Sequence, residues 1–538
     1  MWYPLPQIAG LGLTMGHAVR IGHVALLIAA LGACAHEPRP SASSATLDGI
    51  FDDVFAHYQL PGLALGIVKD DKVIYRRTAG ETIVGSGSQI TPDSLFKIAS
   101  NSKAMTTALL ARLVDQGKLR WDDPVVKHLP QFKMSDPWIT REMQVRDLLI
   151  HNSGLREGAG DLMLWPEPNA YTRADIINGL AHLQPAQSFR AGYAYDNLLY
   201  VVAGEVAAAA GGASYESLVR RELLEPLRMT RCQAGEFRRD DIGNVAQPHT
   251  RTNDRNVVIR LDDTLIPTTT SMAAGGIRCS LNDMLAWVRM WLDVDMHASD
   301  GTTWLTRPRR EELWSAHMPM PLSERQRRWD GSRFNAYGYG WRLSDVDHVL
   351  RVAHTGTLAG MYSAVTLLPE KNIGFVFLIN GDAGQARTVL GQLLVKHFTA
   401  PDDRRRLADY VAELSAELAG SKIPTALDVS VRSPVAATAF AERTGIYEDP
   451  WFGRIDLCPR GDRIGFKAAK SSRLRGTVMQ TGGDGVLIDW EDASVDAEAW
   501  LHFHASSPPS LTLSKVDPDA DFSYDYEDLA LTRVGACP

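Results

Sequence analysis

Apolar residues recur at helical spacing near the start of the chain, and further on they form short continuous runs. Over Ala45–Leu60 apolar side chains fall three or four residues apart, which predicts a helix that packs along one face. Two apolar runs (63–68 and 73–77) then flank a polar turn, and a second pair (362–368 and 373–379) does the same. Such pairs predict β-hairpins. With a long helical middle between them, they indicate one antiparallel sheet covered by helices.

The pattern changes near residue 400. A charged helix is predicted over 402–418 and a polar linker over 419–434, and short strand-like runs separated by Gly and Asp turns follow. Short strands at close, regular spacing are typical of small barrels or sandwiches. The fold class is therefore α+β: an antiparallel sheet covered by helices with a helical subdomain, followed by an all-β barrel-like domain. A length of 538 residues fits two domains.

The first 34 residues differ from the rest, because Arg20 is their only charged residue and 24–33 is an unbroken apolar run. This predicts a signal peptide, since the run is shorter than the roughly 20 residues of a membrane-spanning helix. The run ends in Leu-Gly-Ala-Cys34, which resembles a bacterial lipobox and predicts lipidation of Cys34. The alternative is an ordinary cleavage site beside an incidental cysteine. We expect an exported, periplasmic lipoprotein that contacts the membrane only through this anchor.

Charge and cysteine content narrow the function classes. A formal net charge of -8 provides no basic field for phosphates, so nucleic acid is excluded as a partner. Four cysteines remain (232, 279, 458 and 537), which allow three pairings; none has the C-x-x-C spacing of zinc or redox sites. We hypothesise that Cys458 pairs with Cys537, because both lie in one short exported domain. No metal or cofactor is predicted, and the acidic run 517–528 is interpreted as a hairpin turn because it lacks the glycine of a calcium loop.

A serine hydroxyl is a poor nucleophile at neutral pH and needs a base within reach. Ser-x-x-Lys supplies one, because residues three apart are neighbours on a helix. The pattern occurs at Ser94/Lys97 and at Ser100/Lys103. Ser94 follows turn residues and is predicted to be a cap with a surface lysine, whereas Ser100 leads into an apolar helix that ends near Gly117. That helix should bury Lys103, and burial lowers the pKa of a lysine towards that of a general base.

Two further segments carry candidate chemistry. Tyr195 and Asn197 precede an apolar helix, where a tyrosine hydroxyl can point into a cleft and an amide can bind a substrate amide. His354, Gly356 and Thr357 end a predicted strand, where the glycine would let a substrate lie against the sheet edge. Each segment alone is common, and their order along the chain is the specific signal.

In this order, Ser-x-x-Lys, Tyr-x-Asn and a basic residue with Thr-Gly resemble the beta-lactamase-related serine hydrolases: class C beta-lactamases, DD-peptidases, D-aminopeptidases and related esterases. The resemblance covers residues 46–400. It implies an acyl-enzyme cycle in which Ser100 is the nucleophile and Lys103 and Tyr195 are the base and proton relay. Asn197 would hold the substrate.

The resemblance also implies an oxyanion hole made of the backbone N–H groups of Ser100 and Thr357. The departure is His354, where beta-lactamases and carboxypeptidases of this group usually have a lysine for the substrate carboxylate. Because imidazole is largely neutral near pH 7, we expect small esters, amides or peptides, D-amino-acid peptides among them, to be better substrates than beta-lactams. The alternatives are a tethered cell-wall-peptide or penicillin-binding protein with little turnover, and a true beta-lactamase.

The C-terminal segment is similar to the lipocalin-like β domains appended to such hydrolases, which in D-aminopeptidases lie near the cleft. The predicted domains are a signal peptide (1–34), a tether (35–45), the hydrolase domain (46–400), a helix and linker (401–436), and the lipocalin-like domain (437–538).

Overall fold

The computed structural model describes residues 42–538, except 294, 296, 299–300 and 422–428. The predicted signal peptide, Cys34, most of the tether and the middle of the linker lie outside the described residues. The chain divides into two compact units, Met1–Ala45 and Thr46–Pro538, and the second contains both predicted domains.

Helices come mainly from the middle of the chain. The described residues form twelve α-helices: α1 Ala42–His57, α2 Ser102–Asp115, α3 Val125–His128, α4 Pro137–Glu142, α5 Arg173–Gly179, α6 Leu198–Gly211, α7 Tyr215–Val219, α8 Arg239–Ile242, α9 Leu281–Leu292, α10 Arg307–Leu313, α11 Gly384–Thr399 and α12 Leu407–Ser421. α6 is apolar on nearly every side, which is typical of a fully buried helix.

No single helix in the described part of the chain is long and apolar enough to cross a membrane. One bent pair, Leu198–Gly211 with Tyr215–Leu224, meets the length and composition test across a 74° break.

The longer strands lie at both ends of the hydrolase region and in the C-terminal part, and three short two-stranded pairs lie between the ends of the hydrolase region. In chain order they are β1 Gly62–Lys69, β2 Lys72–Gly80, β3 Phe96–Lys97, β4 Phe237–Arg238, β5 His249–Thr252, β6 Arg255–Val258, β7 Leu265–Ile266, β8 Arg278–Cys279, β9 Met318–Pro319, β10 Asn335–Tyr337, β11 Arg342–Val346, β12 Val349–Leu358, β13 Met361–Leu368, β14 Ile373–Ile379, β15 Arg432–Pro434, β16 Gly445–Asp449, β17 Gly453–Arg460, β18 Arg463–Ala468, β19 Arg475–Thr481, β20 Val486–Trp490, β21 Ala499–His504, β22 Ser510–Lys515 and β23 Ala530–Gly535.

The main sheet is antiparallel, with the strand order β2-β1-β14-β13-β12-β11-β10-β9. Both predicted hairpins are confirmed, and they lie side by side because β1 pairs with β14 along its length. Side chains on a strand alternate between faces. Accordingly, Leu63, Leu65 and Ile67 of β1 pack in the core under α1, α11 and α12. Ala64 and Val68 belong instead to the larger core, which contains α2, α9 and the helical subdomain.

The C-terminal part is a closed barrel, as the strand pattern predicts. Each strand from β16 to β23 pairs with the next, and β23 pairs back with β16, so eight strands close the ring. β15 adds to the outside of β19. The predicted Cys458–Cys537 disulfide is confirmed and ties β17 to the end of the chain. The second disulfide joins Cys232 to Cys279 of β8.

Candidate active site

Ser100 lies in a 3-10 turn, Ala99–Asn101, that runs directly into α2. Its side chain is partly exposed, whereas Lys103, one turn further on, is completely buried. The preceding residue, Ala99, has a φ of +49°, a left-handed conformation that is costly for a residue with a Cβ. Strain of this kind persists only where the surroundings enforce it, and it is concentrated at functional sites.

Strand β12 packs against the strained backbone at Ala99 and helps to hold it in place. A Cβ added to Gly356 would lie 2.2 Å from the carbonyl oxygen of Ile98 and 3.0 Å from the Cβ of Ala99. The glycine is therefore needed because the strand packs against the backbone just ahead of Ser100. This packing is a structural reason that the sequence did not suggest, and contact of Gly356 with a substrate stays a prediction.

The other Ser-x-x-Lys does not form a comparable pair. Ser94 lies in a buried turn, where its Oγ accepts from the Thr91 N–H (2.7 Å) and donates to Asn244 Oδ1 (2.5 Å). Lys97 lies in strand β3, partly buried, with its Nζ 3.8 Å from Asp262 Oδ1. The interpretation as a helix cap with a surface lysine is therefore wrong in detail. A turn followed by a strand does not bring residues three apart together, so only Ser100 and Lys103 converge.

The ammonium of Lys103 is held by three acceptors. Its Nζ lies 3.2 Å from Ser100 Oγ, 2.6 Å from Asn197 Oδ1 and 2.9 Å from the carbonyl oxygen of Ala274. Burial lowers the pKa of Lys103 to about 7, and the carboxyl of Asp161 opposes this shift. In its neutral form the amine can keep two N–H donors for the two carbonyl oxygens and present its lone pair to the Ser100 hydroxyl. This is the arrangement of a general base.

Tyr195 lies beside Ser100 and Lys103, with Lys103 Nζ 4.8 Å from the centre of the Tyr195 ring. Burial raises the pKa of Tyr195 to about 12, while the charge of Arg342 and a hydrogen bond with Ser100 act against the rise. The phenol is therefore protonated at neutral pH. The ring of His151 lies 4.2 Å from that of Tyr195, and its Nδ1 accepts from the backbone N–H of Asp196 (3.0 Å). His151 therefore packs against the ring of Tyr195.

Asn197 precedes α6 and has both ends of its amide engaged. Its Oδ1 accepts from Lys103, and its Nδ2 donates to Asp161 Oδ2 over 2.7 Å. The side chain is only 3 % exposed. The structure therefore places Asn197 against the candidate base, and its predicted contact with the substrate stays a prediction.

His354 is buried with both ring nitrogens engaged. Nδ1 lies 2.8 Å from the Thr355 carbonyl oxygen and Nε2 lies 2.8 Å from the Tyr337 hydroxyl. A carbonyl can only accept, so we assign the proton to Nδ1, and Nε2 accepts from the tyrosine. Burial lowers the pKa of His354 well below its usual range. The imidazole is neutral, as the sequence led us to expect, and its contact with a substrate stays a prediction.

Two positively charged arginines, which the sequence analysis missed, lie close to the candidate active site. The guanidinium carbon of Arg342, in β11, lies 5.7 Å from the centre of the Tyr195 ring. Arg387, in α11, donates from Nη1 to Gly356 O (2.8 Å) and to Thr357 Oγ1 (2.6 Å), and burial lowers its pKa to about 10. Among the described residues neither arginine has a carboxylate partner. Arginines are frequent in sequences, and only the fold shows that these two lie beside the site without an ion pair in the described part of the chain.

A segment of the C-terminal domain lies against the site. The Phe522 ring meets the Tyr195 ring edge-on, with centres 5.8 Å apart, and a Cβ on Gly158 would lie 2.6 Å from the Phe522 carbonyl oxygen. Ser523 Oγ donates to Asp161 Oδ2 over 2.9 Å. Phe522 and Ser523 belong to the acidic run 517–528, which the sequence analysis interpreted as a hairpin turn. Nothing in the sequence indicated that this run would pack against the site.

An antiparallel sheet flanked by helices, with a serine and a buried lysine one helical turn apart beside strand β12, is the arrangement that the sequence led us to expect of a serine hydrolase of the beta-lactamase type. The Beta-lactamase family model matches residues 47–397. This chain belongs to the beta-lactamase family, whose members are serine hydrolases or acyltransferases.

Several known proteins are similar to this chain. Protein flp of Staphylococcus aureus (strain N315) is 27% identical over 347 residues, which are 63% of this chain and 63% of that protein. Penicillin-binding protein 4 of Amycolatopsis lactamdurans is 26% identical over 378 residues, 70% of this chain and 90% of that protein. The octameric penicillin-binding protein homologue from Pyrococcus abyssi matches 91% of this chain and 100% of its own, with a TM-score of 0.54 and 18% identity, and so shares the fold.

Proposed function

We propose that the protein is an exported serine hydrolase that cleaves esters or amides, D-amino-acid peptides among them, through an acyl-enzyme on Ser100. The observation that carries this proposal is the contact between Ser100 Oγ and a buried Lys103 whose pKa is about 7. A lysine of ordinary pKa would be fully protonated at neutral pH and could not accept the proton of the serine.

The geometry supports a division of roles between the two candidate bases. Lys103 takes the proton of Ser100 as its Oγ attacks the carbonyl carbon, because the pKa of the lysine lies near neutrality and that of Tyr195 near 12. Tyr195 donates its proton to the leaving amine or alkoxide and recovers one from Lys103. Water then attacks the acyl-enzyme with the same groups acting in reverse. Backbone N–H groups of Ser100 and Thr357 hold the developing oxyanion.

Export and lipidation at Cys34 are part of the proposal and rest on the apolar run and the lipobox-like ending alone. Labelling of the full chain with a fatty-acid analogue, compared with Cys34→Ser, tests the anchor. Equal labelling of the wild type and the Cys34→Ser variant would show that Cys34 is not lipidated.

A probe experiment tests the hydrolase. We expect a fluorophosphonate to label Ser100, located by mass spectrometry, and p-nitrophenyl esters or D-amino-acid amides to be turned over with a higher kcat/KM than a chromogenic cephalosporin. Labelling without turnover would favour the tethered binding protein. If the kcat/KM for the cephalosporin were higher than that for every ester and amide tested, the protein would be a beta-lactamase.

A second candidate substrate class, peptides ending in a free carboxylate such as D-Ala-D-Ala, is favoured by Arg342. Among the described residues the guanidinium forms no ion pair, although its charge acts on the carboxyl of Glu157; it lies over the Tyr195 ring, near the neutral His354. It can supply the positive charge that a neutral imidazole lacks. A guanidinium pairs with a carboxylate through two parallel hydrogen bonds.

We expect Arg342→Gln to lower kcat/KM for a D-Ala-D-Ala peptide by about 10- to 1000-fold relative to a neutral ester, the effect of losing roughly 1 to 4 kcal/mol of charge attraction. Arg351→Gln is the matched control, because Arg351 in β12 is paired with Asp330 (2.7 Å). An equal loss on ester and peptide would show that Arg342 acts on Tyr195 rather than on a substrate carboxylate.

A further inference from the structure

Asp161 is a buried carboxyl that the proposed acyl transfer does not use. It opens the 3-10 turn Asp161–Met163 and is 0% exposed. One oxygen, Oδ2, accepts from both Asn197 Nδ2 (2.7 Å) and Ser523 Oγ (2.9 Å). The other, Oδ1, is buried without a hydrogen-bond partner in the described part of the chain. Buried carboxyls are costly, so this one needs a reason.

The acceptor on Asp161 determines which way the amide of Asn197 points. A side-chain amide has a donor end and an acceptor end. If the amide were turned over, its NH2 group would face the Lys103 ammonium and its carbonyl oxygen would face the Asp161 carboxyl. With Asp161 in place, the carbonyl end is held towards Lys103 at 2.6 Å.

The second donor to Asp161 comes from the other domain. Ser523 stands 362 residues away in the chain and is held near the catalytic domain by its neighbours. Asp525 accepts from the backbone N–H of Gly160 (2.6 Å), and Asp528 pairs with Arg156 (2.7 Å). A continuous path of hydrogen bonds therefore runs from the barrel through Ser523, Asp161, Asn197 and Lys103 to Ser100.

We infer that Asp161 is a positioning residue, which orients Asn197 and through it the lysine base, and that Ser523 makes this function depend on the docked C-terminal domain. The inference rests on the proposed role of Ser100 and Lys103. Asp161 acts here as a hydrogen-bond acceptor, so an asparagine, which keeps one carbonyl oxygen of the same reach, should substitute for it. Alanine should not.

Single-turnover acylation by a p-nitrophenyl ester measures the effect. We expect Asp161→Ala to lower the acylation rate by about 100-fold, with little change in KM, since a misplaced catalytic group of this kind costs about that much. Asp161→Asn should retain most of the rate. Ser523→Ala should lose about 10-fold, and adding it to Asp161→Ala should cost nothing more, because coupled residues are not additive.

Lys470→Ala is the control for a loosened domain interface. It removes an ion pair with Asp175 (2.7 Å) that joins the same two domains away from Ser100, and it should leave acylation unchanged. Melting temperatures show that each variant is folded.

Crystal structures of Asp161→Ala and Asp161→Asn give a readout that needs no turnover. The contact of Lys103 Nζ with Asn197 Oδ1 should be kept in the asparagine variant and lost in the alanine variant. The inference is overturned if the alanine variant keeps that contact, if it acylates like wild type, or if the asparagine variant is as slow as the alanine variant. Failure of the proposed function has a different signature: wild type and Ser100→Ala would react equally with the fluorophosphonate.

Discussion

Ser100→Ala should lower kcat/KM for a p-nitrophenyl ester by at least about 10⁴-fold, which is the scale of loss when a nucleophile is removed from a catalytic unit. The hydroxyl is placed to attack a carbonyl while its proton passes to Lys103, 3.2 Å away. Initial rates at matched protein concentration measure the loss, and the melting temperature should be nearly unchanged because the side chain is small and partly exposed.

Ser94→Ala is the matched control, since it makes the same atomic change in the other Ser-x-x-Lys. Its hydroxyl holds a buried turn through Thr91 and Asn244, so this variant should lose about 1 to 3 kcal/mol of stability and keep its activity. If both folded variants lost activity equally, Ser100 could not be assigned as the nucleophile.

The second large effect concerns Lys103 and appears as a pH dependence. Only the neutral amine can accept the proton of Ser100, so kcat/KM of the wild type should rise with pH up to about 7 and level off above it. Below that pKa the rate should fall about tenfold per pH unit, because the fraction of Lys103 in the neutral form falls about tenfold with each unit.

Lys103→Met should lower kcat/KM by about 10²- to 10⁴-fold and remove the rise near pH 7. Methionine has a similar length and no charge, so it tests the base with little change in packing. Rates measured from pH 5 to 9 for both proteins give the comparison. If kcat/KM of the variant still rose with pH up to about 7, the group that titrates there would be a residue other than Lys103.

The sequence determined those features that depend on neighbours in the chain. The continuous apolar runs at 63–68 and 362–368, each followed by a polar turn and a second apolar run, were enough to predict the hairpins, because strands and the turns that join them are signalled by neighbouring residues. The choice of Ser100 over Ser94 could be made for the same reason, since whether residues three apart converge is decided by the local helix. Regularly spaced strands predicted the barrel, and shared membership of that domain predicted the Cys458–Cys537 pair.

Other features were decided only by the tertiary structure. The packing role of Gly356, the position of Arg342 over the Tyr195 ring, and the contact of Asp161 with Ser523 all depend on residues far apart in the chain. The same holds for the pKa of Lys103, because the degree of burial follows from how α2 is covered by the rest of the domain. A sequence reports period and order, whereas desolvation and hydrogen-bond partners are set by contacts that form only when the chain is folded.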